Sequence, residues 1–275
     1  MEVIIDSHTH TGTIQYSVGK NRVSNLPGDD LLAAMKKYSI DFALVSSIES
    51  AEFDSRGIPA PPAQQIPQLE SFERLVTFAR SSLNALSGRP LLKASLWVKP
   101  YTEKCSRELD GFIKKNLDHI AGLKMHPSLS NMKFTDRRFT SYLRLAEKYN
   151  MPVQVHTEND GLADPAFVAE VAPLFPSVIF IMVHMGLNTD NGEAIDIISS
   201  NDNVYGDTCE VKNEKVIEAI KRCGSEKILF GTDAVVHGID TYRRYMPLVD
   251  LIRQSFSLEE AENVLFKNCR RLYSL

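Results

Sequence analysis

Short apolar stretches rich in β-branched residues alternate along the chain with longer stretches of helical period. The strand candidates are residues 3–8, 42–47, 92–98, 121–126, 152–156, 178–184, 203–207 and 228–232. Most of them are apolar on both faces, which is typical of a parallel sheet covered on both sides. Apolar residues at three- and four-residue spacing predict helices between them, and a Ser-x-x-Glu capping box at Ser257 predicts the start of a C-terminal helix.

Eight strand–helix units predict an α/β fold, a (β/α)8 TIM barrel that forms a single domain over residues 1–275. Strict alternation of strands and helices implies a parallel sheet, and such a barrel typically takes about 250 residues. Long loops are predicted after strand 1 (residues 11–27) and after strand 2 (residues 50–69). Because barrel active sites form where these loops begin, both are candidates for binding substrate.

Composition and charge describe an ordinary globular protein: 43% hydrophobic, 24% charged, with a net charge of −4. No basic cluster predicts nucleic-acid binding, and no apolar run is long enough for a membrane helix or a leader peptide. We therefore expect a cytoplasmic protein with a small-molecule substrate, and a homodimer is left open. The cysteines form no CxxC pair, so packing is the expected role, with Cys209 left open because it follows a predicted strand.

Histidines cluster where the predicted strands end. Five of the seven lie at the C-terminal ends of four strands, and Asp233 follows the last strand. These five are His8, His10, His126, His156 and His184. His8 and His10 share one side of their strand because side chains alternate, and barrel closure would bring all the strand ends to one rim. The pattern predicts a divalent metal site, most consistent with Zn²⁺, with Fe²⁺, Mn²⁺, Co²⁺ or Ni²⁺ also suitable.

Six motifs in order along the chain resemble those of the amidohydrolase superfamily, especially its amidohydrolase 2 branch. They are DSHTH (6–10), GLKMHP (122–127), PVQVHTE (152–158), MVHMG (182–186), LFGTDA (229–234) and FKNCRRLYSL (266–275). The resemblance implies that the metal ligands are His8, His10, His156 and Asp233. It also implies catalytic roles in proton transfer for Asp233 and His184.

Lys124 lies on the fourth predicted strand with His126 and admits three interpretations. It is a carboxylated lysine that bridges two ions, a protonated lysine that contacts an anionic substrate, or a buried cation paired with an acid. We favour a single ion, which leaves Lys124 and His126 to contact substrate, together with Asp207. Glu158 and Asp160 follow His156 and are candidates for orienting its ring.

The predicted reaction is hydrolysis of an amide, lactone or ester bond in a small, anionic substrate by a metal-activated water. The alternative is non-oxidative decarboxylation of an aromatic or unsaturated acid. Hydrolysis is favoured because the rim offers few aromatic side chains: Trp97 is expected to pack, and the candidates are Tyr205, Phe53 and Tyr16. Arg56 and His237 are expected to be surface residues. A barrel that only binds a ligand is a third interpretation, disfavoured by the complete set of metal-site residues.

Overall fold

One sheet organises the part of the chain that the computed structural model describes, which is residues 3–14, 24–54, 56–61, 65–85 and 92–275. Its strands are β1 (Ile5–Ile14), β2 (Ser24–Leu26), β3 (Phe42–Ser47), β4 (Leu92–Trp97), β5 (Ile120–Met125), β6 (Val153–Glu158), β7 (Phe180–Leu187), β8 (Val204–Asp207) and β9 (Ile228–Leu229). They are ordered β2-β1-β3-β4-β5-β6-β7-β8-β9. Every pairing between neighbours is parallel except β1 with β2. The predicted α/β class and parallel sheet are therefore confirmed.

The chain after the first predicted strand differs from expectation. β1 continues to Ile14, and β2 returns antiparallel beside it with Gly12 opposite Leu26. The prediction of a loop over residues 11–27 is therefore wrong at both ends, because backbone hydrogen bonds between β1 and β2 extend the sheet there. Residues 15–23, which include Tyr16, lie outside the described residues.

Backbone hydrogen bonds also join β1 to the segment that follows β9. Ser7 N donates to Phe230 O at 2.8 Å, and Asp233 N donates to His8 O at 2.9 Å. His10 N donates to Ala234 O at 2.6 Å. The first and last parallel segments of the sheet are therefore in direct contact at the residues that were predicted to form the site.

Helices connect the parallel strands. They are α1 (Gly28–Lys37), α2 (Gln68–Ala85), α3 (Arg107–Asn116), α4 (Arg137–Lys148), α5 (Pro165–Val171), α6 (Gly192–Ser200), α7 (Asn213–Cys223), α8 (Met246–Ser255), α9 (Leu258–Glu262) and α10 (Asn268–Tyr273). The Ser257 capping box is confirmed, because both of its hydrogen bonds with Glu260 are present. The C-terminal helix runs through a π-helical segment, Asn263–Lys267, before α10. Among the described residues, no helix is both long and apolar enough to cross a membrane.

Strand side chains divide between two apolar clusters with a period of two. On β3, Ala43 and Val45 join the large cluster between sheet and helices, whereas Phe42 and Leu44 join a smaller cluster on the other face. On β6 the same period sends Val153 and Val155 towards the helices. His156 is therefore placed on the inner face of the sheet.

Candidate metal centre and substrate cavity

A cavity of about 340 Å³ opens where the parallel strands end. Most of the predicted site residues line it, together with apolar side chains from the connecting segments. The lining consists of His8, His10, Leu26, Ile48, Trp97, Lys124, His126, Leu129, His156, His184, Asp233 and Val236. Asp207 is buried beneath it, with no exposed surface. Side chains remote in sequence thus meet because each one lies at the C-terminal end of its strand.

Three of the predicted ligands present their ligand atoms to one point. His8 Nε2 lies 3.1 Å from His10 Nε2 and 3.3 Å from Asp233 Oδ1. His10 Nε2 lies 2.9 Å from the same oxygen. Ligand atoms bonded to one ion at about 2.0–2.2 Å are separated by roughly 2.8–3.6 Å. The spacing of His8, His10 and Asp233 therefore fits a shared divalent cation.

Each of the two β1 histidines has a partner for its other ring nitrogen. His8 Nδ1 lies 3.2 Å from Asp207 Oδ2, and His10 Nδ1 lies 2.9 Å from Ser46 Oγ. The Asp207 carboxylate can only accept, so it keeps the His8 proton on Nδ1 and turns the Nε2 lone pair towards the cavity, whereas the Ser46 hydroxyl holds the His10 ring in place. Sequence reasoning did not find Ser46. Its position at the polar end of the apolar stretch FALVSS is the signal that could have found it.

His156 reaches the same cavity in a different way. Its Nε2 lies 3.2 Å from Glu158 Oε2, so Glu158 does contact the ring as expected. Its ring packs against His184 at a centroid distance of 4.8 Å. In contrast, the ligand atoms of His184 and Cys209 lie within 4.8 Å of those of His8 and Asp233. The structure thus brings Cys209, the one cysteine whose role was left open, close to the predicted ligands.

Burial sets the protonation of the histidines. It lowers the pKa of His156 and His184 to about 3, with nearby positive groups contributing further. Burial likewise holds the pKa of His8 and His126 well below the ordinary value. Neutral imidazole is the form that binds metal ions. For Asp233, burial disfavours the charged form, but the neighbouring rings of His8 and His10 outweigh it and hold its pKa well below the usual range.

Lys124 is a buried cation at the floor of the cavity. Its Nζ lies 3.2 Å from His8 Nε2, and only 1% of the residue is exposed. Burial lowers the pKa of Lys124 to about 8, although Asp233 and Asp207 oppose the shift. At neutral pH most of the amine therefore carries a proton and can attract an anion in the cavity.

The model of the family described as Amidohydrolase matches residues 98–275 of the chain. The chain belongs to the amidohydrolase family. This confirms the resemblance found in the motifs and identifies the protein as an enzyme of that family. A search of the curated proteins gives no match to the sequence.

Solved structures with a similar fold span nearly the full length of this amidohydrolase. A 2,6-dihydroxybenzoate decarboxylase from Rhizobium has a TM-score of 0.68 at 15% identity, covering 100% of this chain and 99% of its own. A 5-carboxyvanillate decarboxylase from Novosphingobium aromaticivorans, complexed with manganese and 4-hydroxy-3-methoxy-5-nitrobenzoic acid, gives 0.70 at 11%, covering 99% and 96%. A probable 2-pyrone-4,6-dicarboxylic acid hydrolase from Acinetobacter baumannii, with citric acid bound, gives 0.66 at 12%, covering 100% of both. At such identities the likeness shows the fold.

A wall of stacked rings forms one side of the amidohydrolase cavity. Trp97 stacks on His126 at 5.0 Å and an interplanar angle of 13°. His126 stacks on His156 at 3.7 Å and 13°. Trp97 is buried in the apolar core, as expected, and its ring also lines the cavity. Its buried indole Nε1 also has no hydrogen-bond partner among the described residues. The three stacked rings give this side of the cavity an aromatic character.

The remaining candidates lie at the edges of the site. Asp160 Oδ1 accepts hydrogen bonds from the backbone of Leu162 and Ala163, so it shapes its own loop and leaves His156 to Glu158. Arg56 pairs with Asp54 at 2.7 Å and lines a neighbouring cavity of about 500 Å³, which shares His126 and His156 with the first.

Three further side chains lie away from the cavity lining. His237 is half exposed and pairs with Glu210 at 3.2 Å. Phe53 is buried against the ring of Tyr101. Tyr205 belongs to the small apolar cluster. Neither of these two predicted rim aromatics therefore faces the cavity among the described residues.

Proposed function

We propose that this amidohydrolase is a metal-dependent hydrolase of a small carboxylic acid that carries an amide, lactone or ester bond. The observation that supports it best is the trio His8, His10 and Asp233 beside the buried cation Lys124. The trio provides two imidazole nitrogens and a carboxylate oxygen as ligands. Lys124 provides a positive charge for the carboxylate of the substrate.

We propose His8, His10, Asp233 and, after rotation of its ring, His156 as the ligands of one divalent ion. The residues fit such an ion because their ligand atoms are close, buried and directed to one point, and because the β1 rings are held from behind. Zn²⁺ is our first choice for imidazole and carboxylate ligands, and the manganese in the solved decarboxylase makes Mn²⁺ the alternative. When bound, such an ion polarises a substrate oxygen and lowers the pKa of water.

We assign the remaining steps of binding and proton transfer to separate side chains of the cavity. Asp233, ionised and 16% exposed at the cavity, accepts the proton of the attacking water. His184 Nδ1 donates to Cys209 O at 3.2 Å, which directs its unprotonated Nε2 towards the cavity, where it takes the proton from Asp233 and passes it to the leaving group. Lys124 binds the carboxylate of the substrate, while His126 and Trp97 hold its flat portion. Asp207 acts indirectly, through the ring of His8.

We infer that the sheet closes as a (β/α)8 barrel and that residues 1–275 form a single domain. The hydrogen bonds between β1 and residues 230–234 support closure. The coverage of nearly whole chains by the solved structures supports a single domain. A cytoplasmic location and a small-molecule substrate remain part of the proposal.

Decarboxylation of a planar, unsaturated acid is the second candidate. It is favoured by the wall of Trp97, His126 and His156, which removes the argument that aromatic side chains are missing from the site. Two of the similar structures are decarboxylases of aromatic acids. In this reaction the acid lies against the wall, and His184, once its Nε2 has taken up a proton from solvent, delivers the proton that replaces the carboxyl group.

A substrate panel separates the two reactions. Purified protein with Zn²⁺ or Mn²⁺ is assayed against lactones, amides and esters of small acids, and against hydroxylated aromatic acids. Acid release with a pH indicator supports hydrolysis, and CO₂ release supports decarboxylation. The His8→Ala/His10→Ala variant should lose bound metal and all activity, whereas the control His119→Ala should retain both. Full activity in the double variant, or no metal in the wild-type protein, would overturn the proposal.

A further inference from the structure

The backbone N–H and carbonyl of Cys209 both form hydrogen bonds with residues of the candidate metal centre. Its N–H donates to Asp207 Oδ1 at 3.2 Å, and its carbonyl accepts from His184 Nδ1 at 3.2 Å. The residue has no exposed surface. It lies two residues beyond Asp207, where β8 ends, close to the ligand atoms of His8 and Asp233.

The sulfur of Cys209 lies among ligand atoms. His8, His184, Cys209 and Asp233 each offer one atom, and these four atoms are all within 4.8 Å of one another. Around a single Zn²⁺, with bonds of about 2.3 Å to sulfur and 2.0–2.1 Å to nitrogen, the same atoms would be roughly 3.3–3.8 Å apart. A side-chain movement on the order of 1 Å would bring the Cys209 sulfur within bonding distance of an ion held by His8 and Asp233.

The other cysteines have different surroundings. Cys105 and Cys223 are only partly buried. Cys269 is as buried as Cys209, but it packs in the small apolar cluster with Ile5, Leu229 and Tyr273. Burial alone therefore does not account for the position of Cys209. Convergence with two imidazoles and a carboxylate distinguishes it.

We propose that the thiolate of Cys209 binds the same ion as His8 and Asp233, and that it makes the centre select thiophilic ions such as Zn²⁺, Co²⁺ and Cd²⁺ over Mn²⁺ and Mg²⁺. The inference rests on the proposed metal site. On binding, the S–H bond breaks, a sulfur–metal bond forms and the proton leaves to solvent, with no change of oxidation state. Thiolate sulfur is a soft ligand, whereas Mn²⁺ and Mg²⁺ prefer oxygen.

Cobalt provides a direct test that does not depend on turnover. Metal-free protein is titrated with Co²⁺ while the absorption spectrum is recorded. Bound Co²⁺ gives weak visible bands from any ligand set, and a strong near-ultraviolet charge-transfer band only with a thiolate ligand. We expect both features in the wild-type protein and in the matched control Cys269→Ser. Cys209→Ser should keep the visible bands and lose the charge-transfer band. The ratio of its Zn²⁺ affinity to its Mn²⁺ affinity should fall by at least about tenfold.

The outcomes separate this inference from the proposed function. Visible bands without charge transfer in the wild-type protein would overturn the role of Cys209 and leave the metal site intact. No Co²⁺ binding at all would overturn both. A charge-transfer band that survives in folded Cys209→Ser, checked by circular dichroism, would assign the sulfur to another residue. Because absence of the band from the wild-type spectrum would overturn the role of Cys209 by itself, the proposal can be refuted even if a variant does not fold.

Discussion

Replacing Asp207 with Asn tests whether the buried acid behind His8 prepares it to bind metal. In the native protein Oδ2 faces His8 Nδ1 at 3.2 Å, and Oδ1 accepts the backbone N–H of His184 at 2.9 Å. Asn can keep the Oδ1 contacts only by presenting its NH₂ to the ring. His8 Nδ1 must then accept a hydrogen bond, which moves the ring proton to Nε2 and blocks the lone pair intended for the ion.

The size of the effect follows from that exchange. Loss of an outer hydrogen bond to a metal-binding histidine typically costs 10–100-fold in metal affinity, or about 1.4–2.7 kcal/mol. We expect a loss of affinity in the upper half of that range. The His8 ring loses its hydrogen-bond acceptor, and its proton also moves to the nitrogen that would bind the ion. The fold should change little, since the replacement preserves volume and the Oδ1 contacts.

The assay is competition for Zn²⁺ against a chromophoric chelator. Burial raises the pKa of Asp207 to about 7. The measurement therefore belongs at about pH 8, where roughly nine-tenths of such carboxyl groups are ionised. Asp250→Asn, on the exposed side of α8, is the matched control and should bind as the native protein does. An unchanged affinity in folded Asp207→Asn would refute the tautomer argument.

Three further predictions concern the cavity, the metal and the fold. Lys124→Met should raise KM for anionic substrates by about 10–100-fold, the worth of a charged hydrogen bond, with little effect on neutral esters; equal effects on both would contradict an anion-binding role. A chelator should lower the Tm by several degrees, because an ion at about 100 times its Kd adds about 2.7 kcal/mol to the folded state; readdition of Zn²⁺ should restore it. Asp136→Ala, which removes the N-cap of α4, should cost about 1 kcal/mol in urea unfolding at neutral pH. The hydrogen bond from Arg138 lowers the pKa of Asp136 to about 2, so this difference should shrink as the pH falls from about 4 towards 2.

Much of the architecture could be predicted because it depends on local patterns. Apolar stretches identified each parallel strand, and the position of His8, His10 and Asp233 at strand ends was enough to bring them together. The parallel topology makes this inference reliable, since all the strand ends lie on one edge. The contact between Glu158 and the ring of His156 could also be predicted, because the two residues are close in sequence.

The contacts that were not predicted depend on the orientation of side chains, which the pattern of apolar and polar residues does not determine. Trp97 ends an apolar strand and could face either side of the sheet, and only stacking on His126 shows that it lines the cavity. Cys209 lies beyond the end of β8, where strand periodicity no longer applies. Ser46 supports His10 across the boundary between two strands. Each of these contacts involves residues distant in sequence, so no single stretch contains the information.

The depth at which each strand becomes polar defines the floor of the site. β7 passes from Ile181, in the small apolar cluster, to His184 at the cavity within three residues. β8 passes from Tyr205 to Asp207, and β1 from Ile5 to Asp6 and His8. Burying these polar groups costs folding free energy unless each finds a partner, and the contacts among His8, Asp207 and Lys124 reduce that cost. An apolar layer beneath a paired polar layer thus keeps water from the floor of the cavity while leaving the neutral imidazoles available to an ion. Ile181→Leu should therefore leave metal binding unchanged, whereas Ile181→Asp should weaken metal binding and lower the free energy of unfolding together.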